Sequence, residues 1–112
     1  MKYLYAAVLF LLITATSLNA GTIYVNSNRL SAIKVFVTNS RISADLLVYK
    51  TGNRLQASGK DGIWYFVSSR VSADASVYFV KSSIEADVKI FFVSSPIEAG
   101  WRQSNPFQGS FH

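Results

Sequence analysis

The sequence contains no cysteine, a single histidine and two prolines in 112 residues. Without cysteine the chain forms no disulfide, holds no thiolate metal site and takes no lipid on a leading Cys. A lone His112 excludes a multi-histidine metal site, and its place at the end of the sequence argues against a triad base or another general base. No serine sits in a Gly-x-Ser-x-Gly elbow, and no glycine-rich stretch ends in Gly-Lys-Ser or Gly-Lys-Thr. Acidic residues are few, and a glycosidase would need two carboxylates flanking a cleft that so short and repetitive a chain gives no reason to expect. Runs of adjacent basic residues are missing as well. From Gly21 onward ten Lys and Arg residues face six Asp and Glu residues. That balance suits acidic glycans or lipid headgroups, but the dispersal of the bases argues against a nucleic-acid partner. The expectation is a protein without enzymatic activity, cofactor or nucleic-acid ligand.

Long apolar runs are absent beyond the first residues. Lys2 supplies a positive start, Tyr3 to Ile13 is almost uninterruptedly apolar, and Ser17-Leu18-Asn19-Ala20 provides small residues at a cleavage site, the pattern of a secretory signal peptide. A membrane-spanning helix needs about 20 apolar residues, and this run turns polar at Thr14, Thr16 and Ser17. Residues 1–20 are therefore read as a cleaved signal helix and the protein as secreted or periplasmic, with no stable membrane insertion afterwards. The remainder suffices for one compact domain.

What the chain does have is a repeat. A turn-forming residue, a variable one, an aliphatic one, then Ser, Gln or Glu, then Ala recurs at Asn28–Ala32, Ser40–Ala44, Asn53–Ala57, Ser69–Ala73, Ser82–Ala86 and Ser95–Ala99. The alanines stand at 32, 44, 57, 73, 86 and 99, so four intervals of 12 or 13 residues are broken by one of 16. Between the signatures lie Thr22–Val25, Ile33–Val37, Leu46–Tyr49, Ile63–Val67, Ser76–Val80 and Val88–Val93, segments of strand length rich in β-branched and aromatic residues. Several are apolar at every position, as strands covered on both faces tend to be. An all-β fold follows, six short strands from 12–13-residue repeats wound into one compact closed core over 21–101. Each signature is a corner, with Asn or Ser supporting the turn and Ala marking a tight contact. The aliphatic residue of each (Leu30, Ile42, Leu55, Val71, Ile84, Ile97) is expected to tuck inward. Residues 102–112 show no strand pattern and are read as a flexible C-terminal tail.

Asp45, Asp74 and Asp87 each follow a signature alanine. A calcium-binding stack would need glycine-rich turns beside them, which are missing, so these aspartates are expected to accept backbone amides where strands begin. The surplus residues of the long interval fall at Ser58-Gly59-Lys60-Asp61-Gly62, a protruding turn and the largest departure from the repeat. With aromatic residues nearby it gives the candidate ligand or partner surface: Lys60, Asp61, Trp64, Trp101 and Arg102. Trp101, between Gly100 and Arg102, is the tryptophan expected to be partly exposed.

The recurring Ala-Asp followed by Val-Tyr-Phe-Val or its variants, the segment Gly62-Ile63-Trp64-Tyr65-Phe66-Val67 and the closing Glu98-Ala99-Gly100-Trp101 resemble a small bacterial family of unassigned function with a deeply knotted, septafoil-type β-fold. The likeness runs from about Ile23 to Trp101. It implies a compact, monomeric, knotted domain without cofactor, and it supplies no catalytic or binding residues. Ile33 in place of the aspartate and the ending Val48-Tyr49-Lys50-Thr51 depart from the pattern. The resulting expectation is a non-enzymatic exported structural or interaction module resistant to unfolding and proteolysis; the alternative is a binding module for acidic glycan or another anionic envelope polymer.

Overall fold

The computed structural model describes residues 21–57 and 59–112, so the expected signal segment and Ser58 lie outside the described residues. Seven strands alternate with tight corners: β1 (Thr22–Val25), β2 (Ile33–Val37), β3 (Leu46–Lys50), β4 (Ile63–Val67), β5 (Ala75–Phe79), β6 (Val88–Phe92) and β7 (Gly100–Trp101). The first six coincide with the expected segments to within about a residue at each end. β7, two residues long, was not expected.

Six parallel strands close into a barrel in the order β4-β1-β5-β2-β6-β3, with β3 pairing back to β4. β7 adds antiparallel to the first half of β3. β1, β2 and β3 thus occupy alternate places around the barrel, and β4, β5 and β6 fill the places between. The register shows how such short connections manage this. Val25 at the end of β1 and Ile33 at the start of β2 both pair with Val77 of β5, from its two sides. Val37 and Leu46 flank Ile90 of β6 in the same way, and Phe79 and Val88 flank Val35 of β2. Each of these corners therefore steps over a strand belonging to the other turn of the chain. The two turns hold each other down, which is the local origin of the entanglement.

Inward-facing Ile23, Val35, Leu46, Val48, Trp64, Val77, Val88 and Ile90 form a buried core. The outer faces account for the strands that are apolar throughout. Leu47 is covered by Ala44, Val93 and Ala99 from the corners, while Arg29 lies over the Tyr78 ring at 5.9 Å, Arg41 over Phe91 at 5.7 Å and Lys50 over Phe66 at 5.4 Å. Cationic side chains thus cover aromatic faces that a closed barrel leaves outside.

Five of the six corners are short 3-10 turns, and the second, at Ser40–Ala44, is a plain turn. Side-chain oxygens of Asn28, Asn53, Ser82 and Ser95 accept the amides of Leu30, Leu55, Ile84 and Ile97, and four signature alanines close their turns by donating to the carbonyl three residues back. The expectation that the aliphatic residue tucks inward is wrong. Leu30, Ile42, Leu55, Val71, Ile84 and Ile97 are 73–95% exposed. In the capped turns the aliphatic residue's amide is drawn back to the cap, and its side chain points into solvent; the inward contact falls to the alanine.

The signature aspartates do accept amides, but across strands rather than locally. Asp74 accepts from Thr22 N–H at 3.1 Å, Asp87 from Lys34 N–H at 2.9 Å and Asp45 from Lys89 N–H at 2.9 Å. In each case the aspartate's own N–H donates to the partner's carbonyl. Three reciprocal clamps therefore tie a strand of one turn to a strand of the other.

Candidate functional site

The barrel closes where β3 meets β4, and here the repeat is broken. The connection runs through Gly59, Lys60, Asp61 and Gly62 before β4 begins. Gly59 takes φ +71°, which suits glycine. Gly62 packs so tightly that a Cβ would lie 2.6 Å from Gly100 N and 2.9 Å from Leu47 O. Only half of this turn protrudes as expected: Gly59 and Lys60 are exposed, whereas Asp61 and Gly62 are buried.

Asp61 is the hub of this seam. Oδ2 accepts from Trp101 Nε1 at 2.7 Å and from the Gly109 amide, while Oδ1 accepts from the Phe111 amide at 3.1 Å and faces His112 Nδ1 at 2.7 Å. Its main-chain carbonyl accepts from Trp64 Nε1 at 2.6 Å. Burial pushes the Asp61 carboxyl up, but the hydrogen bonds from Gly109, Trp101, His112 and Phe111 together outweigh it and hold the group below the ordinary carboxylate value. Asp61 is therefore ionised at neutral pH. His112 then carries its proton on Nδ1, since a carboxylate offers only acceptors.

The segment read as a flexible tail is folded onto this hub. Phe111 is fully buried and joins the core, with its ring centroid 5.2 Å from Trp64 and 6.2 Å from Trp101. Phe107 packs against the same core, and Asn105 donates to the Asp87 carbonyl and accepts from Phe107 N–H. Residues 105–112 plug one end of the barrel. Two phenylalanines four apart in a polar stretch were the signal that this tail packs.

The five candidate surface residues separate into three groups. Lys60, Asp61 and Trp101 line a cavity of about 450 Å³ together with Ile97, Gly100 and His112. Trp64 is fully buried and cannot offer a stacking face. Arg102 points elsewhere, its guanidinium donating to the carbonyls of Arg41 and Ile42 at 2.7 and 2.8 Å, which ties the sixth repeat to the second corner. Trp101 is half-buried, as expected, with its N–H turned inward to Asp61. Sequence reasoning missed His112, which it set aside as terminal: the fold brings it against a buried carboxylate, the arrangement that orients an imidazole. Among the described residues the cavity lining holds no hydroxyl or thiol nucleophile beside it.

A family model described as the 7(1) septoil knot domain matches residues 19–102. The chain belongs to that family. The mutual bridging of the two turns is how this sequence builds the septoil knot, and a domain of this kind is a small knotted structural unit. Searches of curated proteins and of solved structures find no match. The match ends at residue 102, so the plug that Asp61 fastens lies outside the matched residues.

Proposed function

We propose that this septoil knot protein is a non-enzymatic exported structural or interaction module whose working property is resistance to unfolding and proteolysis. The observation that carries this reading is the mutual bridging: a corner of one turn lies over a strand of the other, so a strand leaves the barrel only after the corner above it opens. Slow unfolding of this origin would protect an exported domain that has no disulfide. The N-terminal pattern of residues 1–20 supports export, and the six exposed aliphatic residues on the corners supply a surface for contacts. Limited proteolysis tests the proposal. Cleavage between Ile23 and Trp101 is expected to be far slower than in a disulfide-free domain of similar equilibrium stability, and cleavage at the ordinary rate would overturn it.

A second reading, capture of acidic glycan or envelope polymer, is favoured by the cavity at the seam, which carries Lys60 and the half-exposed Trp101. Binding that weakens with salt supports it.

A further inference from the structure

The seam cavity is built as a site rather than left as a gap. At about 450 Å³ it falls in the range of roughly 300–1,000 Å³ occupied by small-ligand sites. Asp61 fixes both of its ring side chains from behind. Trp101 Nε1 and His112 Nδ1 each lie 2.7 Å from a carboxylate oxygen of Asp61, so neither ring needs ordering when a ligand arrives.

Among the described residues, the wall leaves one charged side chain without a partner. Asp61 is saturated by four donors, and Glu98 on the neighbouring corner is taken by Arg41 at 2.7 Å. Lys60 is exposed and forms no ion pair among the described residues. With Nδ1–H donating to Asp61, the neutral His112 ring offers Nε2 as an acceptor. The site thus offers one cation, one oriented aromatic side chain and one hydroxyl acceptor. A polyphosphate would call for several cations. A single carboxylate on a ring with an apolar face and hydroxyl groups fits the set.

We infer that the seam cavity binds a uronic-acid residue, with Lys60 taking the carboxylate, Trp101 stacking on the pyranose and His112 Nε2 accepting a ring hydroxyl. Asp61 serves as a positioning residue for both rings. This deepens the acidic-polymer reading by giving it one site and one recognised group.

The test is calorimetric titration of the whole protein with an oligomer of galacturonic acid and with its methyl ester, which keeps the ring and removes the charge. Saturable binding of the acid is expected, weakened about tenfold by esterification and about tenfold by Lys60→Ala, the size of a lost hydrogen bond to a charged group. Lys81→Ala removes the same charge from the exposed surface away from the cavity and is expected to leave affinity within twofold. Equal losses in the two lysine variants would mean diffuse charge attraction: the cavity assignment fails and the polymer reading stands. Tight binding of the ester, or no effect of Lys60→Ala on binding of the acid, also overturns the assignment. No saturable binding overturns both. Thermal unfolding of Lys60→Ala, expected to match the parent, excludes misfolding as the cause.

Discussion

The corners and the seam hold the barrel together in different ways. At the corners stability is spread thin and repeated: a cap from Asn or Ser, an alanine closing the turn, and at three strand starts an aspartate clamp reaching into the other turn. Ion pairs between corners of the two turns, Arg29 with Glu85 and Arg41 with Glu98, are nearly half exposed and each contributes only about 0–1 kcal/mol. At the seam the same closing task falls to a single carboxylate that gathers donors from β7 and the plug, and to one buried phenylalanine. A repeated device tolerates the loss of one copy, whereas a unique one does not.

That contrast sets the order of expected effects. Phe111→Ala empties the plugged end against Trp64 and should cost about 3–5 kcal/mol, read from denaturant unfolding. Asp61→Ala strands the Trp101, Gly109 and Phe111 donors and should cost roughly 3 kcal/mol; a loss no larger than at a corner would erase the distinction. Asp87→Ala leaves the Lys34 amide without its partner and should cost about 1–2 kcal/mol, and Ser95→Ala, which removes one cap, about 0.5–1 kcal/mol. Ile84→Thr, at a fully solvated position, should stay within about 0.5 kcal/mol. A substantially larger loss there would show that the exposed aliphatic residues are structural after all.

Acid sharpens the same comparison. The folded carboxyl of Asp61 lies below its unfolded value of about 3.8, so its contribution is fully present above that pH and is lost as pH falls through the lower folded value. Acid unfolding should accordingly be steeper in the parent than in Asp61→Asn below about pH 4. Parallel curves would mean that Asp61 is not tuned by the plug.

How far the sequence could be read follows the same division. Strands and corners were legible because the repeat states them several times over, with β-branched runs and turn residues at fixed spacing. The direction in which Leu30 and its counterparts point was not. An isolated aliphatic residue between a cap and an alanine has no partner in the sequence to declare whether it faces core or solvent, and single exposed aliphatics are common. The break in spacing did lead to Lys60, Asp61 and the cavity. Trp64 was misplaced because its burial depends on Phe111, 47 positions later, and His112 was dismissed because its partner is set only by closure of the barrel. Contacts made once, between distant segments, leave no pattern in a single chain.

The central claim is that two mutually bridging turns, fastened at the seam, make unfolding slow. Its most direct measurement is the unfolding rate extrapolated to water for the protein and for Asp61→Ala. The parent should unfold more slowly than about 10⁻⁶ per second, the slow limit of ordinary small domains, and the variant about a hundredfold faster, as loss of roughly 3 kcal/mol expressed mainly in unfolding would give. A parent rate in the middle of the ordinary range, or a variant that unfolds no faster than the parent, would contradict the account.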